Sequence, residues 1–181
     1  MFRHPQNPAP NAGPLGPGQL QALNQANQLV ANGQPALAAP IFASLASAME
    51  KENHPRRAAN LHAQAAHAYA DSRQEQPALA QARTALNLFI QYQMNQRTPM
   101  FYGNITRKLT NHGLAGAAQA LAQEYGGRVG AIPAAAPAPK HHGALPTNCP
   151  KCGAPLHSNE ATWIDDITVE CAYCGVSIRA E

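Results

Sequence analysis

Apolar residues recur at helical spacing through the first two thirds of the chain. One stripe repeats at every fourth position: Leu37, Ile41, Leu45 and Met49. Three others mix spacings of three and four: Leu79, Ala82, Leu86 and Phe89; Phe101, Ile105 and Leu109; Leu114, Ala118, Leu121 and Tyr125. Such spacing places side chains on one face of an α-helix. Each stripe therefore predicts a helix whose apolar face packs against a core.

Glycine and proline indicate where these helices begin and end. Glycines typical of helix C-termini occur in Asn32-Gly33, at Gly113 and in Gly126-Gly127. Pro55 and Pro99 suit a first helical turn. Pro40 predicts a kink or a late start in the second helix, because proline has no amide hydrogen to donate. Together with the stripes, these signals predict about six helices in three antiparallel pairs between residues 18 and 126.

Short sequence matches suggest that the helical pairs form a repeat. The pentapeptide QPALA occurs at Gln34 to Ala38 and at Gln76 to Ala80, a period of ~42 residues that lies in the range of HEAT-like arrays. Two further matches, Ala38-x3-Phe42 and Ala85-x3-Phe89, resemble the second helices of tetratricopeptide hairpins. The resemblance covers roughly residues 19 to 126. An ordinary six-helix bundle in an Ala- and Gln-rich chain is the alternative.

Two segments lack a helical pattern. Residues 1–17 are rich in proline, asparagine and glycine, which predicts a disordered tail. Residues 127–147 alternate proline and alanine, which favours an extended linker. His141 and His142 lie in this linker, and adjacent histidines in a tether are more often solvated than metal-bound. The linker predicts that the regions on its two sides fold as separate lobes.

All four cysteines lie beyond the linker, as Cys149-x2-Cys152 and Cys171-x2-Cys174. Two such pairs separated by about 15 to 20 residues are the pattern of a four-cysteine zinc site. Each pair is followed by a glycine, Gly153 or Gly175, which permits the tight turn that brings two thiolates to one cation. The predicted metal ligands are therefore Cys149, Cys152, Cys171 and Cys174.

On these residues, 148–181 resembles a zinc ribbon in which CPKCG and CAYCG are the two knuckles. The resemblance implies a β-hairpin between the knuckles, with Trp163 and Tyr173 in its small core. So short a segment buries too little surface to fold alone, so we expect one structural Zn²⁺ to stabilise it. Iron is a less favoured alternative, because CPKCG is also similar to the knuckle of rubredoxins.

Charge separates the two regions. From residue 146 onward, Lys151 and Arg179 stand against five acidic residues, whereas the rest of the chain has a positive excess. An acidic ribbon repels phosphate. The basic doublets Arg56-Arg57 and Arg107-Lys108 are more typical of solvated helix faces than of phosphate clamps. Nucleic acid is therefore a secondary expectation.

The sequence predicts a mainly α-helical protein of antiparallel hairpins, tetratricopeptide-like or HEAT-like, followed by a small β zinc ribbon. It has no phosphate loop, zincin motif or nucleophile elbow, so we expect no enzyme activity. No apolar run approaches the ~20 residues of a membrane span, and the start of the chain lacks a secretory signal, so we expect a cytoplasmic location. The predicted function is that of a zinc-binding adaptor for an unidentified protein partner. The alternatives are a nucleic-acid-associated factor and an accessory subunit of an enzyme.

Overall fold

The computed structural model describes residues 15–131, 143–156 and 162–180. These residues contain six helices: α1 (Pro17–Ala31), α2 (Pro35–Lys51), α3 (Pro55–Asp71), α4 (Glu75–Gln91), α5 (Arg97–Asn111) and α6 (Ala115–Gly130). A three-stranded antiparallel sheet follows, in the spatial order β1 (Thr162–Trp163), β2 (Thr168–Glu170) and β3 (Ser177–Arg179). In its register, Val169 lies between Trp163 and Ile178. The prediction of a mainly α-helical fold with a small β element is confirmed.

The helical region extends past both of its predicted ends. Helix α1 begins at Pro17, and Leu15 before it is buried, with its amide 3.0 Å from the carbonyl oxygen of Cys174. At the other end α6 continues through Gly126-Gly127 to Gly130, so the helix end predicted at that pair is wrong. Burial of Val129 favours the extra turn over the conformational cost of the glycines. Residues 1–14 of the predicted tail, and 132–142 of the predicted linker with His141 and His142, lie outside the described residues.

All five loops between the helices share one backbone geometry. The second residue of each loop has a positive φ: Gly33, Asn53, Arg73, Gln93 and Gly113. The following amide then bonds a carbonyl in the last turn of the preceding helix, as Gln74 does to Tyr69 at 2.9 Å. In the sequence, only Gly33 and Gly113 indicate this turn. The other three loops adopt it because the packed helices require it.

Helix α2 departs from its predicted face and start. It begins at Pro35, so the late start predicted at Pro40 is wrong; Pro40 lies inside the helix on its exposed side. Leu37 is 57% exposed, so it does not belong to the core. The buried face instead carries Ala38, Phe42, Leu45 and Met49. The apolar stripes of α4 and α5 are buried as predicted.

The spacing of the helices does not follow the pentapeptide match. Helices α2, α4 and α6 begin at evenly spaced positions, Pro35, Glu75 and Ala115. In this register Gln34 corresponds to Gln74, which is not the start of the second QPALA. The pentapeptides therefore occupy different positions on their helices, and the period inferred from them is slightly too long.

The core is continuous between the helices and the sheet. One buried cluster contains Leu23, Phe42 and Leu61 of α1 to α3 together with the four cysteines, Val169 and Ile178. A second cluster joins α3 to α6. The two regions that the sequence predicts as separate lobes therefore share one buried cluster, because the sheet packs its apolar face against α1, α2 and α3.

The loop geometry predicts opposite effects for two matched substitutions. Arg73→Gly should raise the free energy of unfolding by about 1 kcal/mol, because glycine adopts positive φ without the strain of a side chain. Gly113→Ala should lower it by a similar amount, since an added Cβ meets nothing within 4 Å and only the backbone conformation is penalised. Urea unfolding followed by circular dichroism measures both. If both substitutions changed the free energy of unfolding in the same direction, the loop conformation would not be what determines the stability of these variants.

Candidate metal centre and helical groove

The structure brings all four cysteine sulfurs together. They lie within 4.8 Å of one another, and all four residues are buried. The Sγ atoms of Cys149 and Cys174 are 3.7 Å apart, and those of Cys152 and Cys171 are 3.8 Å apart. Sulfurs about 2.3 Å from a central ion form a tetrahedron with edges of about 3.8 Å. The arrangement therefore fits a tetrahedral metal ion, and the cysteines form no disulfide.

The two knuckles are built alike. In the first, the amide of Gly153 donates to the carbonyl of Cys149, and in the second the amide of Gly175 donates to that of Cys171. Gly153 and Gly175 have φ of 72° and 75°, the conformation for which the sequence predicted a glycine. Each turn points its pair of sulfurs at the same centre.

The electrostatics of the four sulfurs favour a cation between them. The hydrogen bond from Cys152 lowers the pKa of the Cys149 thiol far below its usual value, and the same contact raises the pKa of Cys152. The hydrogen bonds that Cys171 shares with Cys149, Cys152 and Cys174 together lower its pKa as well, so two sulfurs ionise more readily and each further thiolate meets their negative charge. A divalent cation at the centre removes that repulsion, so the chemistry of the donor set fits a metal ion.

Side-chain amides of α1 and α3 hold the ribbon, residues 148–156 and 162–180, in place. Asn24 donates to the carbonyl of Lys151 at 3.1 Å, and Asn27 donates to that of Cys152 at 2.7 Å. Asn60 donates to the carbonyl of Ala172 at 3.1 Å, and Gln64 donates to the Tyr173 hydroxyl at 3.0 Å. Three of these four bonds go to main-chain carbonyls. The helices therefore recognise the backbone of the knuckles.

A buried charge pair adds to this docking. Arg57 is 1% exposed and lies 3.5 Å from the Glu170 carboxylate of β2. The prediction that the Arg56-Arg57 doublet is a solvated face is therefore wrong for Arg57. Removing one partner of such a pair leaves a buried charge without compensation, which typically costs about 3 to 5 kcal/mol. The pair thus stabilises one particular position of the ribbon on α3.

A groove runs between α3 and α5 and ends against the ribbon. It consists of two cavities of about 460 and 210 Å³ that share Gln64, His67 and Asn104. The larger cavity extends along the C-terminal half of α5 past Arg107 and Lys108. The smaller one reaches Pro155 and Tyr173, so the ribbon forms its end wall.

The groove carries a positive excess. Lys108 lies 2.7 Å from the carboxylate of Asp71, the one acidic side chain among the described residues that line the groove. Arg107 is exposed and donates to the side-chain oxygen of Asn104 at 3.0 Å. Arg97 lines the smaller cavity and donates to Asn60. Among the described residues, three basic side chains and one carboxylate therefore line the groove.

His67 lines both cavities. Its ring contacts Phe101 edge-on at 5.3 Å, and its Nδ1 is buried with no hydrogen-bond partner among the described residues. Burial, and after it the charge of Lys108, lower the pKa of His67 to about 4, while Asp71 opposes this shift. The imidazole is thus neutral at neutral pH, and one of its polar atoms is unsatisfied.

Sequence reasoning found the cysteines but missed the residues that dock the ribbon. Asn24, Asn27 and Asn60 lie inside helices, where asparagine has a low helix propensity. Asparagine inside a predicted helix was therefore the only indication in the sequence that these side chains have a tertiary role. Tyr173 was expected in the core of the ribbon; it is buried, but its hydroxyl meets α3. Trp163 is half-buried and packs against the shared cluster.

Comparison of the chain with protein-family models, with curated proteins and with solved structures finds no match. No helix among the described residues is both long enough and apolar enough to cross a bilayer.

Docking of the ribbon predicts that a helix residue controls metal loss. Asn27→Ala should accelerate the loss of the bound metal ion to a chelator, because it leaves the Cys152 carbonyl without its donor, at a cost of about 1 to 3 kcal/mol. Gln25→Ala is the matched control, since Gln25 lies on the exposed side of the same helix. The rate of release is followed with a chromogenic zinc indicator, and the helical unfolding midpoint is followed by circular dichroism.

Complete removal of the metal should also lower that midpoint, because the ribbon and α1 share one apolar cluster. Equal release rates for the two variants, with an unchanged midpoint after chelation, would contradict the coupling between metal site and helices.

Proposed function

We propose that this chain is a zinc-binding adaptor that holds a protein partner on its helical region. Cys149, Cys152, Cys171 and Cys174 bind one structural Zn²⁺, which stabilises the ribbon in its position on α1 and α3. The ribbon in turn closes one end of the groove between α3 and α5. The six helices and the sulfur cluster support this proposal, and the resemblance to a zinc ribbon behind tetratricopeptide-like hairpins agrees with it.

The mode of ribbon docking is the observation that carries the protein-binding proposal. Asn24, Asn27 and Asn60 each donate to a main-chain carbonyl of the ribbon. A helical face that binds carbonyl groups in this way recognises polypeptide by its backbone, whatever the side chains. The same kind of side chain, in Asn104 and Asn111, lines the open groove.

A role for the metal in folding, and not in catalysis, follows from its ligands. Four protein sulfurs complete a tetrahedral shell and leave no position for water or substrate. Tetrahedral sulfur sites hold zinc or iron, and we propose zinc because it binds such sites without redox chemistry. The chain then acts by binding, with any chemistry on the partner.

Protein is favoured over nucleic acid because the two basic doublets are partly used within the chain. Arg57 is buried beside Glu170, and Lys108 is paired with Asp71. Arg56 donates to the carbonyl of Tyr92 at 3.3 Å. A phosphate backbone requires several free cations in a row, since its affinity comes from counterion release.

The identity of the metal is checked by native mass spectrometry of the purified full-length chain. We expect one zinc per chain and a colourless protein. Cys152→Ser should reduce the zinc content, because a serine hydroxyl replaces one of the four thiolate ligands. Iron at full occupancy, visible as charge-transfer absorption, would contradict zinc as the resident ion.

The adaptor function is tested by selecting a random peptide library against the zinc-loaded full-length chain. We expect enriched peptides that bind in a fluorescence-anisotropy titration and lose affinity when the metal is removed. A single-stranded oligonucleotide, titrated at two salt concentrations, serves as the competing ligand. Submicromolar oligonucleotide binding with a steep salt dependence, and no enriched peptide, would favour the nucleic-acid alternative.

A further inference from the structure

We propose that the groove between α3 and α5 binds an extended, acidic segment of the partner, and that the ribbon forms the end wall of this site. The proposal rests on the adaptor function and adds the location and chemistry of the ligand. It follows from three features of the groove: a repeated amide position, an unsatisfied imidazole nitrogen and a positive excess.

The amide position repeats on the three odd-numbered helices. Asn24, Gln64 and Asn104 lie equally far from the last residues of their helices, which are Ala31, Asp71 and Asn111. The first two already bind the ribbon, Asn24 at the Lys151 carbonyl and Gln64 at the Tyr173 hydroxyl. The third lies beyond the ribbon, in the groove.

Asn104 is available for a ligand. Its side-chain oxygen accepts from Arg107, which directs its amide nitrogen away from that contact. In the described part of the chain this nitrogen has no acceptor, and the residue is exposed. A main-chain carbonyl of a bound segment would accept a hydrogen bond from this nitrogen, as the Lys151 carbonyl accepts one from Asn24.

His67 provides a second, independent indication of a ligand. Its buried Nδ1 lacks a partner among the described residues, although the ring lines both cavities. A polar group buried without a hydrogen bond costs about 1 to 3 kcal/mol. A peptide group in the groove, offering both N–H and C=O, satisfies either tautomer of the neutral ring.

The charges determine which segment the groove prefers. Arg107 and Lys108 line the larger cavity together with Asp71, and Arg97 lines the smaller cavity, where no described acidic side chain is present. Arg107 is exposed, so a ligand carboxylate reaches it without breaking the Lys108 pair with Asp71. Glutamate or aspartate near this end of α5 gains a charge-assisted bond, whereas lysine or arginine is repelled.

Charge also argues against the two longest segments outside the described residues as the occupant. Residues 1–14 and 132–142 contain Arg3 and Lys140 and no aspartate or glutamate. A nucleic acid carries a phosphate at every nucleotide, so it meets the carboxylate of Asp71 within the groove and the acidic ribbon at its end, whereas a peptide can place its carboxylates beside Arg107 alone. An acidic peptide offers backbone groups to the amides and carboxylates to the cations.

The test uses the zinc-loaded full-length chain labelled with ¹⁵N. The probe is a short acetylated peptide of alternating glutamate and alanine, and the reference peptide has glutamine in place of glutamate. We expect shifts of the Gln64 and Asn104 side-chain amide resonances on titration with the probe, and about fivefold to tenfold weaker binding of the glutamine peptide.

Variants then locate the contacts. Arg107→Gln should weaken binding of the glutamate peptide about fivefold to tenfold and bring it close to that of the glutamine peptide. Arg73→Gln, an exposed arginine on the loop after α3, is the matched control and should leave both affinities unchanged. His67→Phe keeps the ring contact with Phe101 but removes Nδ1, so it should weaken both peptides equally. Chelation of the metal should weaken both as well, because the wall formed by Pro155 and Tyr173 is lost.

Three results would overturn the proposal. The first is glutamate-peptide binding that Arg107→Gln leaves unchanged. The second is a single-stranded oligonucleotide that shifts the same resonances at lower concentration. The third is shifts of these resonances with protein concentration alone, which would assign the groove to a second copy of the chain.

The adaptor function and the groove assignment fail in different ways. If the library yields peptides whose binding is insensitive to Arg107→Gln and His67→Phe, the adaptor function stands and the groove assignment is wrong. If neither the library nor the glutamate peptide yields binding, the adaptor function itself is wrong.

Discussion

Burial of the four-sulfur centre against α1 and α3 is the constraint on which the rest of this structure depends. The ribbon has two-residue and three-residue strands and cannot cover its own sulfurs. Its apolar face, with Val169 and Ile178, packs onto the helices and continues their core. A structural zinc ion in a small domain contributes on the order of 10 to 16 kcal/mol. We propose that, through the shared core, zinc binding stabilises the helices as well as the ribbon.

The polar contacts across this boundary explain why the inner face of the helices is rich in asparagine and glutamine. Knuckle turns expose main-chain carbonyls, and a purely apolar helix face would bury them without donors. Asn27 and the amide of Leu15 satisfy the carbonyls of Cys152 and Cys174, the second cysteines of the two knuckles. Helix α1 and Leu15, two residues before its start, thus hold both knuckles. Asparagine is unfavourable inside a helix, but here it donates to a carbonyl that would otherwise be buried without a hydrogen bond.

The position of the ribbon also defines the groove. The ribbon covers the inner face of α1 and the first half of α3, so that face is not open to a partner. The second half of α3 and the facing side of α5 stay uncovered, and their polar residues continue the pattern that binds the ribbon. One part of this helical surface therefore binds the ribbon of the same chain. The other part is open, and we propose that it binds an acidic segment of a partner. The metal links them, because Tyr173 between Cys171 and Cys174 lines the groove.

The sequence by itself determined the elements whose causes are local. Helical stripes, turn glycines at Gly33 and Gly113, and the spacing of the two cysteine pairs depend on neighbouring residues, and the structure has the corresponding helices and sulfur cluster. Tertiary packing decided the rest. Asn53, Arg73 and Gln93 adopt positive φ only because adjacent helices must turn there, and Leu37 is exposed because Phe42 faces the core instead. The docking of the ribbon joins residues more than a hundred positions apart, such as Asn27 and Cys152. No local sequence pattern predicts that hydrogen bond. It forms only when two surfaces that are distant in the sequence, each with unsatisfied polar groups, meet in the folded chain.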